Sequence, residues 1–238
     1  MTDDLQWPTN DRTEAPLQVA MLLYPGLTLL DLVGPQAALS MHSKIHLVWK
    51  TRGAVTADTG IRIEPSATFD DCPQQLDILF VPGGFGTAAV MQDAEALAFL
   101  RDRGATAKYV TSVCSGSLIL AAAGLLQGYK ATSHWSALDM LAALGVEVVK
   151  ARVVTDRNRV SGGGVTAGID FGLTLLAKLR GEHAAKLSQL ALEYDPAPPF
   201  HAGSPESAGP EITAEALAFV AAAIREASAV IAPQAVAV

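Results

Sequence analysis

Cysteine is scarce in this chain. Its two, Cys72 and Cys114, are too few and too far apart for a disulfide framework or a zinc site. Charge is scarce too: 17% of the 238 residues are charged, and 17 basic against 24 acidic side chains leave a net charge of −7. That balance argues against phosphate-backbone binding, which needs clustered Lys and Arg, and mainly serves solubility. No uninterrupted apolar run approaches the roughly 18–20 residues of a membrane span. Met1 to Pro16 is polar, with Asp3, Asp4, Asp11, Arg12 and Glu14, and lacks the apolar stretch of a signal peptide. These absences predict a cytoplasmic protein with free thiols and neither membrane nor nucleic-acid partners.

What is present is apolar. Half the residues are hydrophobic, enough for a sizeable core and unlike a disordered chain. Pro8, Asn10 and Pro16 interrupt the polar start, so residues 1–16 are expected to form a flexible extension. Leu17 to Tyr24 is an apolar run ending at Pro25-Gly26, which suits a strand buried on both faces. Further strands are predicted at Ile45–Lys50, Leu76–Val81, Tyr109–Val113, Glu147–Thr155 and Arg159–Ser161. Helices are predicted at Thr28–His42, Ala94–Arg103, Ser117–Leu126, Ala137–Leu144, Thr166–Leu179 and Glu182–Tyr194. Alternating strands and helices imply βαβ units: one α/β domain over residues 17–210, a mostly parallel sheet sandwiched by helices. Residues 211–238 form an Ala-rich helix, roughly Ile212–Val230, and a tail. In such sheets ligands sit at the carboxyl ends of the strands.

The most informative segment is Tyr109-Val-Thr-Ser-Val-Cys114-Ser-Gly-Ser117, followed by an apolar helix. A strand that turns at once into a helix, with Ser112, Ser115, Gly116 and Ser117 keeping the bend uncrowded, has the form of a nucleophile elbow. The helix N-terminus is expected to favour thiolate and lower the Cys114 pKa, and the Ser115 N–H points at whatever bonds to sulfur. The bland alternative is a buried structural cysteine. No histidine adjoins Cys114, so a catalytic partner has to come from elsewhere in the chain.

Val81-Pro-Gly-Gly84-Phe-Gly86 follows another strand, and paired glycines there let N–H groups converge on a small polar atom, or simply make a tight turn. Asp31 stands between Leu30 and Leu32 in a segment almost free of other charge. Apolar surroundings raise a carboxyl pKa and suit it to proton transfer near neutrality, whereas a helix N-cap or a core ion pair is the alternative. His134 follows a strand end and reads best as structural, and Cys72 as inert. Gly162-Gly-Gly164 lacks the G-x-G-x-x-G spacing of a dinucleotide loop.

Together these loops resemble the DJ/PfpI superfamily, whose fold is similar to class I glutamine amidotransferases, over about Leu17 to Pro205. Within it the sequence is most similar to isocyanide hydratases. The shared features are Leu30-Asp31-Leu32 with Gly34-Pro35, Val81-Pro-Gly-Gly84, Thr111-Ser-Val-Cys114 and Ala122-Ala-Gly-Leu-Leu-Gln-Gly128, followed by Gly162 to Phe171, Leu192 to Phe200 and Ala202-Gly-Ser-Pro205. The resemblance implies hydration of an isocyanide to an N-substituted formamide without metal or organic cofactor, in a homodimer. It makes Cys114 the nucleophile and Asp31 the general acid and base, with N–H groups of Gly84 and Ser115 holding water or the tetrahedral centre. Ser115 departs from the Thr usual in the hydratases but keeps the hydroxyl.

Two relatives offer rival readings. A protective or redox-sensing member would oxidise Cys114 without turnover, though such proteins usually pair the cysteine with Glu. A transcription regulator would need a basic helix-turn-helix, for which the Ala-rich residues after Pro210, with one Arg, are too few.

Overall fold

The apolar run at the start of the domain forms strand β1, Leu17–Leu22, buried at every position but Gln18, as a strand covered on both faces demands. The computed structural model describes residues 14–232. The extension expected over 1–16 therefore lies mostly outside the described residues, as does the tail beyond 232. Residues 14–16 are held at Ala15, whose carbonyl accepts from Arg180 at 2.6 Å.

After β1 come helix α1 (Leu29–Ser40), strand β2 (Ser43–Trp49), the short strands β3 (Val55–Thr56), β4 (Arg62–Ile63) and β5 (Ala67–Thr68), and strand β6 (Ile78–Val81). Helices α2 (Thr87–Met91) and α3 (Ala94–Thr106) lead to strand β7 (Tyr109–Val113) and helix α4 (Gly116–Ala122). Strand β8 (Lys130–Ala131), a 3₁₀ turn at Trp135–Ala137, helix α5 (Leu138–Ala143) and strands β9 (Glu147–Val148), β10 (Val153–Asp156) and β11 (Arg159–Gly162) follow. The described chain closes with helices α6 (Ala167–Ala191), α7 (Pro205–Ala208) and α8 (Pro210–Ile231).

One seven-stranded sheet runs β10-β11-β7-β6-β1-β2-β5. Its pairings are parallel except β10 with β11. Helices α1 and α6 pack on each other, and α4 lies among α2, α3 and α5. This is the expected single-domain α/β sandwich with a mostly parallel sheet. The predicted strand over Glu147–Thr155 is two strands, because β9 pairs with β8 and β10 with β11. The two helices expected around residue 180 are both present within α6 and meet at Gly181, whose φ of 84° and ψ of 162° are not helical.

Local sequence explains the main elements. Asp93 caps α3 by accepting from the Ala96 N–H at 3.1 Å. The β6 residues Ile78, Leu79, Phe80 and Val81 are all buried, and Phe80 meets Phe171 of α6 with ring centroids 5.6 Å apart. Burying one such side chain is worth about 1.5–3 kcal/mol. Ser188 of α6 donates to the Ala38 carbonyl of α1 at 2.7 Å, which fixes the helix that carries Asp31. Strands β11, β7, β6 and β1 are sheet neighbours. Their carboxyl ends lead directly into Gly163, Cys114, Gly83 and the loop before α1, so all the expected site loops meet along one edge.

Candidate active site

Cys114 lies where β7 becomes α4, and its φ of 58° is the left-handed conformation that an L-residue adopts at a cost of about 1–2 kcal/mol. The surrounding backbone enforces it. The Cys114 N–H is shared between the Gly162 carbonyl at 3.1 Å and the Gly163 carbonyl at 2.8 Å. Its carbonyl accepts from Ser133 Oγ at 2.9 Å and Ser117 Oγ at 3.2 Å. Strain held at one residue by bonds on both sides is a frequent property of functional sites. The expected elbow is present.

The elbow forms because its neighbours lack side chains. A Cβ on Gly116 would stand 2.2 Å from the Val81 carbonyl oxygen. A Cβ on Gly83 would stand 2.6 Å from Ser115 N and 2.8 Å from Cys114 Cβ. The glycine loop after β6 therefore lies directly against the turn that carries the sulfur.

Asp31 is fully buried and occupies the third position of α1. Thr28 is the N-cap residue of that helix, so Asp31 is not. Among the described residues it has no ion-pair partner either. Its Oδ2 accepts from the Gly83 N–H at 2.9 Å, and Oδ1 is buried with no hydrogen-bond partner of good geometry among the described residues. Burial lifts its pKa to about 7, against the opposing pull of the Cys114 thiol and the Gly83 N–H. The expectation of a raised carboxyl pKa holds.

The expectation for Cys114 does not. Burial pushes its thiol well up, and the neighbouring Asp31 carboxylate adds to the effect. The Ser115 N–H opposes this without reversing it. The sequence reasoning counted the helix N-terminus and missed the desolvation that comes with the pocket and with a partner of like charge. Burial and the Asp31 carboxylate thus both favour the thiol over the thiolate.

The loop also differs from expectation at Gly84. Its N–H is spent on Ser115 Oγ at 3.1 Å and is not free to hold water. Thr87 Oγ1 bonds both the Gly84 carbonyl at 2.7 Å and Ser115 Oγ at 2.8 Å. Of the two N–H groups expected to hold a reacting oxygen, the one on Ser115 faces the sulfur.

Cys114 opens into a cavity of about 440 Å³, within the size range of small-molecule sites. Gly84, Ser115 and Thr87 line it on one side, His134, Trp135 and Met140 on another, and α8 on a third. His134, read from sequence as structural, thus borders the site. Its Nδ1 accepts from the Ser136 N–H at 3.4 Å and lies 2.8 Å from Ser136 Oγ, and burial lowers its pKa, which favours the neutral imidazole. Thr87 and α8 were missed as site elements. A five-residue helix has no periodicity to find, and nothing in a terminal amphipathic helix says which surface it will cover. Cys72 lies elsewhere, buried, its sulfur 3.8 Å from the Pro73 carbonyl and its pKa raised by burial. No cluster of three or more His, Cys, Asp or Glu suited to a metal occurs among the described residues.

A parallel α/β sheet with a strained cysteine on a strand-to-helix elbow, and a buried carboxyl beside it, defines a class of cysteine-site proteins. The family model of DJ-1/PfpI matches residues 17–178, and the chain belongs to that family. It is 52% identical over 202 residues to an isonitrile hydratase of Pseudomonas putida, covering 84% of this chain and 88% of that protein. It is 54% identical to a ThiJ/PfpI family protein of Pseudomonas syringae whose crystal structure superposes with a TM-score of 0.88 over 91% of each chain. An HTH-type transcriptional regulator of Pseudomonas aeruginosa is 31% identical over 183 residues, which are 73% of this chain and 48% of that protein.

Proposed function

We propose that this protein is an isocyanide hydratase in which Cys114 is the nucleophile and Asp31 carries the protons. The observation that supports this reading best is the pairing of a buried carboxyl, pKa about 7, with a buried cysteine whose thiol pKa is raised, at the head of an apolar cavity. The similarity to the Pseudomonas putida isonitrile hydratase over most of both chains supports the same substrate class.

An isocyanide carbon is electrophilic and also needs a proton, which a thiol–carboxylate pair supplies together. Asp31 takes the thiol proton as sulfur attacks, and delivers it to the terminal carbon, leaving a thioimidate with a carbon–nitrogen double bond. Water then adds to that carbon through its oxygen, and the proton it gives up to Asp31 is passed on to nitrogen. As the carbon–sulfur bond breaks, the remaining hydroxyl proton returns through Asp31 to sulfur, and an N-substituted formamide leaves. The Ser115 N–H stays on the sulfur throughout and stabilises charge as it develops there. Gly84 acts through Ser115, whose hydroxyl it fixes.

Formamide formation from a simple aromatic isocyanide tests this reading. The wild-type protein turns the compound over and Cys114→Ala does not; equal rates, or none in either, overturn it. The proposal also includes a cytosolic homodimer. Among the described residues no helix is long and apolar enough to cross a membrane. The inward face of α8 lies over the cavity, so that face is already covered without a second subunit. Light scattering at micromolar concentration checks the dimer, and a monomer rejects it.

A further inference from the structure

Helix α8 is amphipathic with an inward stripe at Ala216, Val220, Ala223, Ile224 and Ala227, the i, i+4, i+7, i+8 and i+11 positions of one helix face. That stripe borders the cavity that holds Cys114. The helix contacts α2 on one side, and α5 with the 3₁₀ turn on the other, so it spans the opening between the glycine loop and the His134 segment. Across from it stand Leu118, Ala137, Met140 and Val165. At one end of the span Phe219 meets Phe85 edge-on, with centroids 6.1 Å apart, and both rings are exposed.

Charge is nearly absent from this lining. It contains no Lys or Arg, and its one acidic residue, Asp58, is exposed. A carboxylate or phosphate on a substrate would find no cation there and would meet Asp58. The catalytic loops at residues 31, 83–84, 114–115 and 163 all fall inside the matched family segment, which ends at residue 178. The wall does not, since α8 begins at Pro210.

From this we infer that α8 is the specificity element of the site. It selects isocyanides that carry a neutral apolar R group, and Ala223 and Ala216 set the size accepted. Small alanines leave room for an aryl or branched alkyl group that larger side chains would fill. Phe219 and Phe85 offer ring edges and faces to such a group as it enters. The inference rests on the proposed hydration for its substrate, but the wall itself can be read without turnover.

Two readouts on Ala223→Phe test it. The first is kcat/KM for 2-naphthyl isocyanide relative to ethyl isocyanide, which should fall by about 10-fold or more, the scale on which a filled apolar pocket discriminates. The second is the rate of Cys114 alkylation by a bulky N-aryl iodoacetamide relative to iodoacetamide, which should fall by a similar factor. Ala223→Val, a milder change, should shift both ratios in the same direction by less and serves if the Phe variant does not fold. Ratios equal to those of the wild type in a folded variant overturn the inference. If wild-type protein hydrates neither isocyanide while the alkylation ratio still drops, the hydratase reading fails and the wall stands.

Discussion

Thr87 and Ser115 are joined by a hydrogen bond whose direction the structure settles. The two oxygens lie 2.8 Å apart, and Thr87 Oγ1 also lies 2.7 Å from the Gly84 carbonyl, which can only accept. Thr87 therefore spends its one proton on Gly84, and Ser115 must donate to Thr87. Ser115 Oγ in turn accepts from the Gly84 N–H at 3.1 Å, closing a ring of three bonds across the glycine loop and the elbow. Thr87→Val keeps the shape and opens the ring, stranding the Ser115 proton, while the Gly84 carbonyl keeps the residue-87 N–H at 3.1 Å. The expected result is a loss of about 1 kcal/mol in stability, the net worth of a typical hydrogen bond. Denaturant titration measures it; a loss below about 0.5 kcal/mol rejects the ring as a structural device.

Asp31 gives the sharpest test of chemistry. Since it caps no helix and bonds Gly83 across the site, Asp31→Asn retains shape and removes proton transfer. Isocyanide turnover should fall by about 10²–10⁴. Asp31→Glu keeps a carboxyl but displaces it by roughly one methylene, so it should be impaired yet exceed Asn. Steady-state rates of the two variants, with melting temperatures as the folding control, decide. An Asn variant close to wild type would refute the assignment.

The same residue makes stability depend on pH. Its pKa is raised from 3.8 to about 7 on folding, because the ionised form is buried. Below the unfolded value the carboxyl is protonated in both states and its stabilising effect is complete. As pH rises toward the folded value, the unfolded chain releases the proton first and stability falls, by up to about 4 kcal/mol in total. Asp31→Asn lacks this loss. Its melting temperature relative to wild type should therefore climb between pH 4 and pH 8. A constant difference across that range contradicts the burial argument.

Alkylation separates the two cysteines. Cys114 opens on the cavity and Cys72 does not, so limiting iodoacetamide should label Cys114 first. Because both burial and the Asp31 carboxylate hold the Cys114 thiol protonated, its labelling rate should keep rising above pH 8. Removing the carboxylate in Asp31→Asn should raise the rate at pH 7. Peptide mapping by mass spectrometry gives both results, and equal labelling of the two cysteines argues against the site.

The legible part of this protein was the part written in local chemistry. Alternating apolar runs and glycine punctuation carried the sheet, and Val113-Cys114-Ser115-Gly116 carried the elbow, since a strand meeting a helix at one residue needs small neighbours. Asp31 was legible because a charge inside an apolar segment is costly unless used. What was not legible depended on contacts made far along the chain. Helix α2 is too short for a periodic signal, so Thr87 went unnoticed. The β3–β4 hairpin, which carries Asp58 between its strands to the cavity, consists of two-residue strands with no alternation to detect. The Cys114 pKa was misjudged because local sequence reveals a helix terminus but not how deeply it will be buried.

The placement of α8 has a consequence for how the protein is made. The sulfur, the carboxyl and the glycine loop are all encoded before residue 163, and the wall over them begins only at Pro210. At about 5–20 residues per second, a ribosome needs several seconds more to deliver that wall. Until that helix docks, the side of the Cys114 cavity that it walls in the finished fold stays open, so docking of the last helix is the step that encloses the cysteine.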